Sequence, residues 1–175
     1  MQASTLSHPC LDEISRLQLE RHALELDVCG YTVVEDVIDP DITARGLEAT
    51  LRTFAERTGN RPDVQTGEGY DGYYVSRFML LRDPAYENIV MAEKVLALID
   101  YLVGQDCILS TLTGHIRGQG RNDALPTGYL PLHGDDTSVQ PHPSFNNFAT
   151  VNICLTDVDE KSGCLAFVPG SHKRL

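Results

Sequence analysis

A short polar segment in the second half of the chain carries residue types that bind metal ions. The segment "GYLPLHGDDTSVQPHP", residues 128–143, contains His133 and Asp135, two positions apart. If both residues lie on a β-strand, their side chains point to the same face. An imidazole nitrogen and a carboxylate oxygen would then converge on one point. These are two of the three protein ligands in the facial triad that holds non-haem Fe(II) and leaves metal positions open.

The spacing by itself is a weak signal. A chain with six histidines and fifteen aspartates contains about half an H-x-D match by chance. The alternative is a turn in which His133 and Asp135 hydrogen-bond to backbone groups, and the neighbouring Gly134 and Asp136 would suit such a turn. Spacing alone therefore leaves a metal site and a polar turn as alternatives.

The elements that would position this segment change in character along the chain. Residues 1–104 are rich in helical patterns, whereas residues 105–175 read as short strands joined by turns. Helices are predicted over residues 11–28, 39–59 and 92–104, and strands over 31–38, 107–116, 148–158 and 164–170. We therefore expect a single domain, residues 1–175, with an α+β fold in which helices pack outside a mainly antiparallel sheet or barrel.

Composition and charge exclude several classes of function. Hydrophobic residues make up 42% of the chain, which is typical of a folded protein. The net charge of −11 argues against a nucleic-acid or anionic-membrane partner, because phosphate groups are bound by clustered Lys and Arg. The N-terminus lacks the pattern of a signal peptide, and no apolar run is long enough to span a bilayer.

The five cysteines fit neither a disulfide framework nor a thiolate zinc site, since their number is odd and no C-x-x-C pair occurs. Cys154 and Cys164 lie in apolar sequence, which predicts small buried side chains. A reducing compartment follows, and we expect a soluble cytoplasmic protein.

Three segments in order resemble the phytanoyl-CoA dioxygenase family: "GYTVVEDVIDPD", "PLHGDDT" and "VNICLTDVDEKSGCLAFVPGSHK". The resemblance covers roughly residues 30–174. It implies a double-stranded β-helix (jelly-roll or cupin-like) with flanking N-terminal helices, and an Fe(II)- and 2-oxoglutarate-dependent oxygenase. The resemblance also implies that His133 and Asp135 are the first two iron ligands. The family's third ligand, a histidine, its 2-oxoglutarate-binding arginine and the closing strands would lie beyond Leu175.

The resemblance also implies cosubstrate contacts. Arg77, in "YVSRFMLL", matches a position where the family has a Lys near 2-oxoglutarate, and Thr113 and Asn152 are further candidates. A surface Arg, a core-facing Thr and a strand-edge Asn are the respective alternatives. His172, in "PGSH", is expected to hydrogen-bond a turn and not to bind the metal.

The implied reaction is hydroxylation or desaturation of a C–H bond in a small organic substrate with O2, because a family member with Asp at the position of Asp135 is not a halogenase. Residues 60–73 and 117–131 are the predicted substrate loops. One alternative is a non-catalytic β-helix domain that binds a ligand or partner. Another is a cupin-like enzyme that uses another metal, with His115 or His142 as additional ligands.

Overall fold

The computed structural model describes residues 9–66, 68, 72–118, 132–133, 147–160 and 162–173. These residues form α-helices, a small sheet with one strand before and one strand after the last two of those helices, and extended segments. In chain order the elements are α1 (Pro9–Arg16), α2 (Glu20–Cys29), α3 (Pro40–Thr58), β1 (Tyr73–Arg77), a 3-10 helix (Met79–Leu81), α4 (Ala85–Val90), α5 (Glu93–Val103), β2 (Thr113–Arg117) and a 3-10 helix (Ser171–Lys173).

The helix predicted over residues 11–28 is wrong as a single element, because the chain turns between α1 and α2. The amide of Leu19 donates to the carbonyl of Ile14, and the amide of Gln18 donates to that of Ser15. This pair of bonds is a Schellman motif, and Gln18 takes the left-handed conformation (φ 58°) that the motif requires. The usual sequence signal, a glycine, is absent there, so the break was not visible in the sequence.

The predictions for α3 and α5 are confirmed, because their ends are determined by local residues. The Asp39 side chain caps α3 by accepting a hydrogen bond from the Asp41 amide at 2.8 Å, and Pro40 occupies the first turn. Gly59 ends α3 in a left-handed conformation, and Gly104 follows the last residue of α5.

Two apolar clusters hold the elements together. The first joins α1, α2 and α5, and its buried members are Ile14, Leu19, Ala23, Ala97 and Leu98. The second joins α3 and α4 to the 3-10 helix Met79–Leu81, and its buried members are Ala49, Met79, Tyr86 and Ile89. Met79 is 0% exposed. Leu112, which precedes β2, and Leu155 pack against this second cluster. The sheet is therefore attached to the helices through residues that follow β1 and precede β2.

The expected α+β class is confirmed, but the predicted strands are only partly correct. β1 and β2 form a two-stranded antiparallel sheet, the one sheet among the described residues. Residues 31–38, 148–158 and 164–170 were each predicted to be strands, and none has a ladder partner in the described part of the chain. A strand needs hydrogen bonds from a neighbouring segment, so a β-rich sequence without a partner stays merely extended.

The prediction that Cys154 and Cys164 are buried is wrong, because both are exposed, while Cys10 is buried. The structure records no disulfide among the five cysteines, all of which lie in the described ranges. No helix in the described ranges has the length and apolar character needed to cross a membrane.

Candidate functional site

The two faces of the sheet differ in what they contact. β1 and β2 pair in register from Tyr73 opposite Arg117 to Arg77 opposite Thr113. Alternate side chains along each strand point to opposite faces. On the inner face, the Tyr74 ring meets the Phe54 ring of α3 edge-on, with centroids 4.8 Å apart. This face therefore packs on the helices.

The inner face is also closely packed at β2. A Cβ added to Gly114 would lie 2.9 Å from the Met79 Cε atom, so the strand is in close contact with this core side chain. Ser76 is 3% exposed, and its hydroxyl has no hydrogen-bond partner among the described residues. The inner face therefore anchors the sheet and leaves the other face for ligands.

The outer face carries the side chains that could bind a ligand or take part in a reaction. Its members are Tyr73, Val75 and Arg77 from β1, and Thr113, His115 and Arg117 from β2. None of the six is an acid, although the whole chain has a net charge of −11. The outer face is therefore a locally cationic and polar surface.

His115 is at the centre of a hydrogen-bonded row on this face. Its Nδ1 atom contacts the Tyr73 hydroxyl, and its Nε2 atom lies 2.7 Å from the Thr113 hydroxyl. The residue retains an exposed edge, yet the atoms packed around the ring remove enough water to lower its pKa. At neutral pH the ring is therefore neutral, with one nitrogen donating and the other accepting.

Arg117 is fixed at the other end of the face. The carbon atom of its guanidinium lies 5.4 Å from the centre of the Tyr73 ring, within the range of a cation–π contact. On another side the group passes over Gly163, where an added Cβ would lie 2.5 Å from Nη1. Burial raises the pKa of Tyr73, so its hydroxyl stays protonated at neutral pH.

The structure brings two of the sequence-derived site residues together. Arg77 and Thr113 are direct cross-strand partners, a relation that places their Cα atoms about 4.5–5.5 Å apart and their side chains on one face. Arg77 is exposed and Thr113 is half-buried. A guanidinium and a hydroxyl side by side are suited to hold a carboxylate.

The other predicted site residues are not brought to this face by the described contacts. His133 is exposed and is one of two described residues in its loop, while Asp135 and His142 lie outside the described residues. Asn152 is exposed on the extended segment 147–158. Within the ranges that the structure describes, no three His, Cys, Asp or Glu residues form a group able to hold a metal.

His172 contacts a different part of the fold. Its Nε2 atom lies 3.3 Å from the Asp27 carbonyl oxygen at the end of α2, and its ring lies against Gly30. The nearby Tyr31 and Phe167 rings stack at 4.9 Å. These contacts give His172 a role in packing the C-terminal segment against α2.

Tyr73 and Arg117 are end residues of the predicted substrate loops 60–73 and 117–131, but neither was singled out from the sequence, and the structure places both in strands. His115 was considered only as an alternative metal ligand. The alternation in "YYVSR" and "TGHIR" was a usable signal, because it places every second residue on one face. The register between the two strands was not available from the sequence, so the pairing of Tyr73 with Arg117 could not be predicted.

Residues 26–175 match the model of a family described as phytanoyl-CoA dioxygenase (PhyH). A protein of Stutzerimonas stutzeri named as a probable alpha-ketoglutarate-dependent hypophosphite dioxygenase is 25% identical over 151 residues, which is 82% of this chain and 50% of that protein. Uncharacterized proteins of Mycobacterium bovis and Mycobacterium tuberculosis are each 26% identical over 155 residues, which is 86% of this chain and 54% of those proteins. The chain thus spans about half the length of these relatives. No solved structure matches it.

Proposed function

Because the chain belongs to the phytanoyl-CoA dioxygenase family, we propose that it is part of an Fe(II)- and 2-oxoglutarate-dependent dioxygenase. The reaction that we propose is hydroxylation or desaturation of an unactivated C–H bond in a small organic substrate. The observation that carries the proposal is the pairing of Arg77 with Thr113 on the outer face of the sheet.

Arg77 and Thr113 are the residues that we assign to a carboxylate of 2-oxoglutarate. A guanidinium offers several N–H donors in a fixed plane, and such charge-assisted bonds are about twice as strong as neutral ones. The Thr113 hydroxyl is already near His115, so its orientation is restricted. Asn152 is a separate assignment, supported by the sequence resemblance alone.

His133 and Asp135 are the residues that we assign to the iron. An exposed imidazole and a carboxylate two positions later provide the nitrogen and oxygen donors that Fe(II) accepts. The third ligand that we propose is a histidine encoded beyond Leu175. When bound, the iron would supply oxygen activation coupled to oxidative decarboxylation of 2-oxoglutarate to succinate and CO2.

The chain's own residues then have positioning tasks. Arg77 and Thr113 would orient the cosubstrate, and the packed inner face would keep the sheet rigid beneath it. Rigid support matters because a misplacement of about 1 Å can cost a hundredfold in rate. The relative from Stutzerimonas stutzeri is named for hypophosphite, so small organic molecules that carry an oxyanion group are the first substrates to assay.

The test is anaerobic calorimetry of Fe(II) and then 2-oxoglutarate binding to the full encoded chain. We expect His133→Ala to lose Fe(II) binding. Arg77→Gln should keep Fe(II) but bind 2-oxoglutarate about tenfold more weakly, from loss of a charge-assisted pair. Arg57→Gln, which removes an exposed charge on α3, is the matched control and should behave as the parent protein.

The results also separate the alternatives. A wild-type chain that binds neither Fe(II) nor 2-oxoglutarate would favour a non-catalytic β-helix domain that binds a ligand or partner. Retention of metal in His133→Ala, with loss in His142→Ala, would favour the cupin-like alternative. His115 is a poor additional ligand in that alternative, because both its ring nitrogens already have partners.

The proposal includes a fold and a cellular location. We propose that residues 1–175 are part of one oxygenase domain built on a double-stranded β-helix. We also propose a cytoplasmic location, because the structure records no disulfide among the five cysteines, as is usual in a reducing compartment.

A further inference from the structure

The outer face of the sheet has a cationic residue at each end. Arg77 lies opposite Thr113 at one end, and Arg117 lies opposite Tyr73 at the other. Neither arginine forms an ion pair with any carboxylate among the residues described here. Because the chain as a whole repels anions, two guanidinium groups on one acid-free face mark the place where an anion is attracted.

The arginines between α3 and α4 lie beside carboxylates. A cavity of about 310 Å³ between α3 and α4 is lined by Arg45 and Arg52, but Asp83 and Glu48 line it as well. Arg52 forms ion pairs with Asp83 and Glu56. The positive charge in that cavity is therefore compensated, and an incoming anion would have to compete with resident carboxylates.

Arg117 is held in place before any ligand arrives. The Tyr73 ring lies on one side of its guanidinium, and the backbone at Gly163 lies on another. In the described part of the chain no hydrogen-bond acceptor contacts the guanidinium. A guanidinium whose position is fixed and whose N–H donors have no acceptor is preorganised to bind an oxyanion in a bidentate manner.

The two ends are too far apart to serve one small cosubstrate. They are separated by four residues along each strand, which corresponds to about 13 Å at about 3.3 Å per residue. A five-carbon dicarboxylate such as 2-oxoglutarate is roughly 6 Å long, from bond lengths of about 1.5 Å. With Arg77 assigned to 2-oxoglutarate, Arg117 is left for a second anionic group.

We propose that Arg117, supported by Tyr73 and Gly163, binds an oxyanion group of the primary substrate. The substrate class is a small molecule with a single carboxylate or phosphorus oxyanion. Its reactive part would extend along the row of Tyr73, His115 and Thr113 toward the cosubstrate end. This assignment rests on the proposed function for the role of Arg77, but the anion site at Arg117 is testable without it.

The experiment is a titration of the metal-free full encoded chain with inorganic phosphate, followed by side-chain NMR of the Arg117 Nε–H and the His115 ring. We expect saturable shifts in the wild-type protein. Arg117→Gln should weaken phosphate binding by about tenfold or more, since a bidentate charged contact is lost. Arg57→Gln, the matched loss of one exposed positive charge, should bind phosphate as the wild type does.

A parallel titration with acetate identifies the oxyanion. Tighter binding of phosphate supports a phosphorus oxyanion, and tighter binding of acetate supports a carboxylate. Equal phosphate affinity in wild type and Arg117→Gln overturns the proposal, as does an equal loss in Arg57→Gln. If Arg117→Gln does not fold, Arg117→Lys decides, because it keeps the charge and removes the bidentate geometry. Weaker phosphate binding in that variant supports the proposal, and unchanged binding contradicts it.

Titration with 2-oxoglutarate in the presence of Fe(II) separates this inference from the proposed function. Arg117→Gln should change 2-oxoglutarate affinity by less than about threefold, whereas Arg77→Gln should lower it about tenfold. An equal loss in both variants would assign both ends to the cosubstrate and overturn the inference. If wild type binds phosphate at Arg117 but no 2-oxoglutarate, the proposed function fails and the anion site stands.

Discussion

The imidazole of His115 is contacted from both sides, by the Tyr73 hydroxyl at Nδ1 and the Thr113 hydroxyl at Nε2. A neutral ring offers one donor and one acceptor, so either tautomer satisfies both contacts. Metal binding by His115 would require one of these bonds to break. At the residue scale, the ring is therefore better suited to orient its two neighbours than to serve as a ligand.

Protonation of His115 should reduce stability in mild acid. Desolvation lowers its pKa in the folded chain, whereas the unfolded chain retains a value of about 6.5. Between these two values the unfolded state binds more protons, so the free energy of unfolding falls as the pH drops below about 6.5. The contribution is fully present above that pH. We expect His115→Gln to lack this part of the acid sensitivity in urea denaturation at pH values from 7 downward.

Thr113→Val is the control for this measurement, because it removes one partner but keeps the titrating ring. It should retain the acid sensitivity of the wild type. If His115→Gln loses stability in acid as steeply as the wild type, the sensitivity arises from other groups and the lowered pKa of His115 plays no part.

At the scale of elements, the turn between α1 and α2 stores backbone strain. Gln18 adopts φ 58° to complete the Schellman motif, a conformation that costs a residue with a Cβ roughly 1–2 kcal/mol. Glycine adopts it without that cost but loses more freedom on folding. We expect Gln18→Gly to raise the free energy of unfolding by about 0.5–1 kcal/mol, measured by chemical denaturation.

A second substitution tests the sign of this effect. Glu20→Gly places a glycine in the first turn of α2, where the backbone conformation is helical. This substitution should lower the free energy of unfolding by about 1 kcal/mol. A loss of stability in Gln18→Gly as well would show that the left-handed conformation at Gln18 is not the source of strain.

The helices and strands also show which sequence signals were sufficient to predict secondary structure. The start of α3 was predictable because Asp39 and Pro40 act on amides within the next few residues. The strand predicted over residues 31–38 failed because its β-branched residues found no partner strand among the described residues. Local capping is therefore readable from a few adjacent residues, whereas pairing depends on segments that are distant in sequence.

At the scale of the whole molecule, large apolar side chains in the segments that follow α5 are exposed. They include Ile108, Val151, Leu165, Phe167 and Val168. Where exposed apolar side chains adjoin one another, they mark an interaction site or a face that another segment covers. The relatives are about twice as long as the matched region, so we expect further strands of the same polypeptide to cover these side chains.

Sequencing of the coding DNA past the codon for Leu175 tests this expectation. We expect an open frame with a histidine that completes the facial triad. The family resemblance implies an arginine about ten residues later, in β-rich sequence. A chain expressed with these residues should bind less of a hydrophobic dye than residues 1–175 alone. A stop codon directly after Leu175 would contradict the proposed triad and favour a ligand-binding domain.

The sequence by itself determined the family resemblance, the H-x-D pair of His133 and Asp135, and the helices whose ends are marked by caps and glycines. The H-x-D pair and the helix ends depend on residues within one or two turns of each other, so they are encoded locally. The resemblance is carried by three separate segments in order, and it too can be read without knowing which segments are in contact. The tertiary structure alone decided that Arg77 lies beside Thr113 and that Arg117 lies over Tyr73. Strand register is set by packing of the inner face against α3 and Met79, and a shift of one residue would turn the cationic face inward.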